Sequence, residues 1–167
     1  MCKYLFVYYC FLFCFLPPES YVKLLISAAN LPKEKSEVVE KLLTEVVESY
    51  VKFNENSKVD SFEALKAFTD HLVNVYHVVL VTVGKGSVII ILDCPSLESL
   101  ELLWSDYRSG HLDKVAERYL LCDEIKKKLN LETVCLKSSI EKENYVDCRR
   151  ALVKLHSTSS GQYKKSV

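Results

Sequence analysis

The sequence predicts an α+β fold: an antiparallel sheet of about four strands with helices packed mainly on one face. Three observations on its 167 residues lead there. Apolar residues recur at the three-to-four spacing of amphipathic helices over long stretches. Residues 75–92 switch to β-branched runs around a Gly-Lys-Gly turn. The resulting order, strand, helix, helix, hairpin, helix, helix, strand, helix, reads as a mostly antiparallel sheet with its helices gathered on one side.

Residues 21–28 (YVKLLISA) form a first strand, and Asn30-Leu31-Pro32 break it with the proline near a helix start. In the helix that follows, Val39, Leu42, Leu43, Val46, Val47 and Tyr50 share one face, while Glu37, Lys41, Glu45 and Glu48 supply the other. Polar residues 53–61 end it. A shorter helix over residues 62–72 turns Phe62, Leu65, Phe68 and Leu72 inward. Residues 75–83 (VYHVVLVTV) and 87–92 (SVIIIL) then make a β-hairpin across residues 84–86. Ser96 is placed to cap a third helix with Leu97, Leu100, Trp104 and Tyr107 on one face, closed by Ser109-Gly110. A fourth helix is expected over residues 112–129, a last strand over residues 133–138, and a fifth helix from near Ile140, with Ser138 and Glu141 at capping-box spacing.

In the first 16 residues Lys3 alone lies outside the hydrophobic set; without them the hydrophobic fraction falls from 49% to roughly 44%, ordinary for a soluble domain. The chain therefore divides into an apolar leader (residues 1–20), one α+β domain (residues 21–156) and a polar, disordered tail (residues 157–167). The apolar run over residues 4–16 covers about 20 Å as a helix, short of a hydrocarbon core near 30 Å. It has the layout of a signal peptide without a small-x-small site beside it. Three readings stay open: a signal or anchoring segment, a misplaced start of the reading frame, or a strand, since Tyr4, Phe6, Tyr8 and then Phe11, Phe13, Phe15 alternate. The sequence holds no Asn-x-Ser/Thr sequon, which points to the cytoplasm, with membrane contact only through residues 1–16.

Lys+Arg and Asp+Glu both number 22, so no basic excess exists to hold nucleic acid, and nucleic acid is not expected as a partner. Catalysis finds no phosphate loop, no Gly-x-Ser-x-Gly elbow and no His-Glu-x-x-His, so no enzyme is expected. Cys94 or Cys122 with His77 or His111 could be composed into a thiol enzyme, but any chain with seven Cys and four His offers such pairs. His71 and His77, six apart, share no helical face, and neither metal nor cofactor is expected. The four cysteines beyond the leader, Cys94, Cys122, Cys135 and Cys148, lie in apolar or helical stretches where a reduced buried thiol is the usual state, although an even number permits disulfides in a secreted chain.

A three-residue turn over residues 84–86 sets Val83 opposite Ser87, Val81 opposite Ile89, Val79 opposite Ile91 and His77 opposite Asp93. The other face then carries Tyr76, Val78, Leu80, Thr82, Val88, Ile90, Leu92 and Cys94, which is the more uniformly apolar set and the expected core. A sheet covered on one side leaves His77, Val79, Val81, Val83, Ile89, Ile91 and Asp93 as a candidate partner-binding face, because an exposed apolar patch usually marks an interface.

Residues 87–152 carry a further pattern. An apolar helix ends in Asp106-Tyr107-Arg108-Ser109-Gly110, a helix with Leu112, Val115, Tyr119 and Leu120 follows, then the strand TVCLKSS and a helix with Tyr145, Cys148, Arg149 and Leu152. This run resembles the TRADD-like N-terminal domain family, whose founding member is a death-domain adaptor of tumour-necrosis-factor receptor signalling. The resemblance covers residues 21–155, by element order alone before residue 75. It implies a four-stranded antiparallel sheet with helices on one face, and a non-enzymatic signalling adaptor acting in apoptosis. It also implies a free sheet face that engages a TRAF-type domain or another signalling protein. That face mixes aromatic and polar groups in the family, whereas the hairpin positions here are aliphatic. No death domain follows residue 156 in this sequence, so the chain is read as a fragment, an isoform or a stand-alone module.

Overall fold

In the computed structural model, which describes residues 21–52, 60–84, 88–121, 127 and 134–159, four strands pair antiparallel throughout. They are β1 (Tyr21–Ala29), β2 (Val79–Gly84), β3 (Val88–Asp93) and β4 (Cys135–Ile140), lying in the order β2-β3-β1-β4. Five helices accompany them among the described residues: α1 (Lys33–Lys52), α2 (Asp60–Tyr76), α3 (Leu97–Ser109), α4 (His111–Leu120) and α5 (Lys142–Ser159). The α+β architecture expected from the sequence is the one observed.

Alternation in β1 explains why it can sit between two partners. Val22, Leu24 and Ile26 are 0% exposed, while Lys23 between them faces water. The same parity buries Val88, Ile90 and Leu92 of β3. Against this one face the helices bring Val39, Leu43 and Val47 of α1, Leu65, Phe68 and Leu72 of α2, Leu112 and Ala116 of α4, and Leu152 of α5. Each of the Val, Leu and Phe side chains contributes about 1.5–3 kcal/mol by leaving water. Tyr76, fully buried, satisfies its hydroxyl by donating to Asp106 Oδ2 at 3.0 Å, which ties α2 to α3.

The ends of α3 follow the sequence signals. Ser96, extended at φ −144°, accepts from the Ser99 amide at 3.1 Å, and Gly110, at φ +75°, closes the helix by donating to Tyr107 O at 3.2 Å. The capping box expected at Ser138 does not form. Ser138 lies in β4, and its hydroxyl donates to Asp113. Other boundaries differ too: α4 stops at Leu120 rather than running to residue 129, and β4 spans Cys135–Ile140 rather than 133–138. The second helix runs through Tyr76 rather than stopping at Leu72, and the last continues to Ser159, three residues into the expected tail. The leader, residues 53–59, most of residues 122–133 and the end of the tail lie outside the described residues.

Both flanks of the β1–β4 pair are completed by side chains. Asp113 and Glu117, one turn apart on α4, stand about 6 Å apart along the helix, close to the 6.8 Å between alternate residues of a strand. Glu117 Oε1 accepts from the Leu136 amide at 3.0 Å, and Asp113 Oδ1 accepts from the Ser138 amide at 2.7 Å. The outer edge of β4 is thereby paired, not left as a template for another chain. Where β4 ends opposite Leu24, the side chain of Asn144 takes over. It accepts from the Lys23 amide at 2.8 Å and donates to Tyr21 O at 2.7 Å, as a further strand residue would.

Candidate functional site: the free face of the sheet

Residues of the opposite parity converge on the face that the helices leave uncovered. Across β1 and β3, Tyr21 stands opposite Asp93, Lys23 opposite Ile91, and Leu25 opposite Ile89. On the β4 side Leu25 faces Ser139, and on the β2 side Val79 faces Asp93. Leu25, Ile89 and Ile91 form a partly exposed aliphatic centre, with Val79 48% exposed at its margin. Tyr21, Lys23, Asp93 and Ser139 surround it with polar groups. Burial, together with the charge of Asp93, raises the Tyr21 phenol above its ordinary value, so the hydroxyl stays a neutral donor. Lys137, although on this parity, turns around the β4 edge to Asp113 Oδ2 at 2.7 Å.

The expected hairpin register is corrected in two ways. Val79, not His77, stands opposite Asp93, so β2 is displaced by two residues from the expected pairing. A β-bulge then falls between Leu80 and Thr82, leaving Val81 as the extra residue. One extra residue reverses the alternation, so Val83 pairs with Ile90 and is buried at 7% exposure. Val83 therefore joins the core, where the expected positions Tyr76, Val78, Val88, Ile90, Leu92 and Cys94 are buried and Leu80 is partly buried, while Thr82, expected in the core, stands opposite Ile91 instead. His77 lies outside the ladder. It ends α2 in the left-handed region at φ +54°, exposed, and its carbonyl accepts from the Ser99 hydroxyl at 3.4 Å. Of the seven residues expected on the face, the sheet brings Val79, Ile89, Ile91 and Asp93 together, with partly exposed Val81 at the bulge.

Tyr21, Lys23 and Leu25 were not assigned to the face from sequence, yet YVKLLIS carries the signal. Its even positions are wholly apolar and its odd ones mixed. What the sequence lacks is strand order, which alone sets β1 beside β3.

The structure does not pair Cys94 with exposed His77: the Cys94 thiol is 0% exposed, and its hydrogen bond to Cys148, followed by burial, pushes it far above the ordinary thiol range. Among the described residues, no group of three or more His, Cys, Asp or Glu could hold a metal ion. No described helix is long and apolar enough to cross a membrane.

A family model described as the TRADD-like N-terminal domain matches residues 62–121, from α2 to the end of α4, roughly a third of the chain. The resemblance read from the sequence holds over that span. No curated protein and no solved structure matches the chain.

Proposed function

We propose that this chain is a non-enzymatic signalling adaptor that binds a TRAF-type domain through the free face of its sheet, in a cytoplasmic pathway of the death-receptor kind. The observation that supports the reading is the composition of that face. An aliphatic centre of Leu25, Ile89 and Ile91 is ringed by Tyr21, Lys23 and Asp93, and the described helices bury only the opposite parity. An apolar middle with a polar rim is the anatomy of a protein interface. Covering the centre releases about 25 cal/mol per Å² of apolar surface, while the rim selects the partner. Tyr21, Lys23 and Asp93 also supply the aromatic and polar groups that the aliphatic hairpin positions lack. The match of residues 62–121 to a family of interaction domains turns the reading toward an adaptor and a TRAF-type partner.

Titration calorimetry of a TRAF-type domain against wild type and Ile91→Arg tests it. Wild type binds saturably, and the variant weakens binding at least about tenfold, the loss of one well-packed interface contact. Circular dichroism and the melting temperature stay native, because Ile91 points away from the core. Equal binding by both proteins refutes the face. Absence of binding by wild type refutes the TRAF-type partner.

A further inference from the structure

The two most deeply buried thiols of the described chain meet where α5 crosses the end of β3. Cys94 follows Asp93 at the close of β3, Cys148 lies on α5, and both are 0% exposed. The Cys94 thiol donates a hydrogen bond to the Cys148 sulfur. The backbone brings the two residues to the same region. Asn144, one turn before Cys148, holds Tyr21 O and the Lys23 amide, and Tyr21 is paired with Asp93, the residue preceding Cys94. We propose that Cys94 and Cys148 form a redox-responsive pair, which a hydroperoxide converts into an intramolecular disulfide stapling α5 to the end of β3.

The step balances as two thiols and one hydroperoxide giving one disulfide, one water and, from hydrogen peroxide, a second water. The Cys148 sulfur loses its proton and attacks the peroxide, so the O–O bond breaks and a sulfenic acid forms. Oxidation of Cys148 removes the partner that held the Cys94 proton; the Cys94 sulfur then gives up that proton and attacks Cys148, the S–S bond forms, the S–O bond breaks, and the hydroxide leaves with the proton as water. The hydrogen bond from Cys94 draws the Cys148 thiol below its ordinary value, which makes it the attacking sulfur. As hydrogen-bond partners, the two sulfurs need only a local shift to close to about 2.05 Å.

Access comes from α5. Because both sulfurs are fully buried, a hydroperoxide reaches them only when the helix lifts locally from the sheet. Oxidation is therefore slow and follows that opening; once formed, the bond abolishes it. Closing a loop of about 55 residues raises the melting temperature by roughly 5–10 °C.

The full chain, reduced and then freed of reductant, is treated with hydrogen peroxide, blocked with N-ethylmaleimide, and digested without reduction for peptide mass mapping. The expected product is a Cys94–Cys148 crosslinked peptide, with a raised melting temperature that dithiothreitol reverses. Cys148→Ser loses both signals, and Cys135→Ser keeps both. Recovery of Cys94 and Cys148 as maleimide adducts after the partly exposed Cys135 has been oxidised overturns the proposal. So does a crosslink from either sulfur to any other cysteine. Because the wild-type map is decisive by itself, a poorly folded Cys148→Ser variant does not rescue the proposal.

Discussion

Replacing Asp113 with alanine removes one carboxylate and, with it, three hydrogen bonds at the outer edge of β4. The Ser138 amide at 2.7 Å and the Ser138 hydroxyl both donate to Oδ1 in a site where Ser138 is only 7% exposed. Hydrogen bonds to a charged acceptor are worth about 1.5–3 kcal/mol each, and a buried amide left without its acceptor costs about as much. Lys137, whose side chain is 61% exposed, adds at most about 1 kcal/mol through its 2.7 Å contact. Water entering beside the truncated side chain offsets part of the loss, so the net cost is about 3 kcal/mol. For a domain of this size that is roughly 10 °C in melting temperature. Urea denaturation of Asp113→Ala, Ser138→Ala and the double variant measures the amount, and the two single costs should fall short of additivity by about 1–2 kcal/mol. Acid supplies a second readout. Burial raises the Asp113 pKa, but the bonds from Lys137 and Ser138 outweigh it and hold the carboxyl below its ordinary value. A depressed carboxylate contributes stability above its unfolded pKa of about 3.9, lost as pH falls through the folded value. The gap between wild type and Asp113→Ala therefore narrows as pH drops below about 4. A cost under about 0.5 kcal/mol near neutral pH, or a gap that persists undiminished in acid, would refute the idea that α4 completes this edge.

Three further outcomes are expected. Val83→Asp unfolds the protein, costing at least about 3 kcal/mol by burying a charge, whereas Val79→Asp, three pairs along the same strand, changes stability by less than about 1 kcal/mol; equal effects in thermal melts would contradict the bulge. Asn144→Ala leaves the Lys23 amide and Tyr21 carbonyl to water and lowers stability by about 1–2 kcal/mol. It should also loosen α5, and the single tryptophan reports this, because Trp104 stacks on Tyr145 at 4.1 Å; unchanged fluorescence and stability would dismiss the strand-like role of Asn144. His71 has its pKa lowered by burial and by neighbouring His111 and Arg118, against Asp106, and its Nε2 is buried without a hydrogen-bond partner among the described residues. The unfolded chain thus takes up a proton that the fold resists, so stability falls as pH drops below about 6.5 toward the folded value. His71→Phe, set among Phe68, Tyr76 and Tyr119, flattens that part of the melting profile; a variant with the wild-type slope would show that the titration lies elsewhere.

Local chemistry made much of this fold legible in the sequence. The Ser96 cap, the Gly110 terminus and, among the described side chains, Val39, Leu43 and Val47 of α1 with Leu65, Phe68 and Leu72 of α2 each depend on residues within a few positions of one another, and each is found as read. The hairpin was legible as an element but not in register. The register shifts by one residue between Leu80 and Thr82, and no residue within the run VLVTV announces it.

Alternation by itself determined that this protein has a sheet with one core face and one mixed face. Which mixed residues share that second face was decided by tertiary structure alone, because a strand's neighbours are chosen by packing across the whole core. The order β2-β3-β1-β4 brings Tyr21, Lys23 and Leu25 beside Ile89, Ile91 and Asp93, although nearly seventy positions separate them. The same long-range packing removed Val83 and His77 from the face, sent Asp113 and Glu117 to an edge no motif predicts, and set the Cys94 and Cys148 thiols in contact.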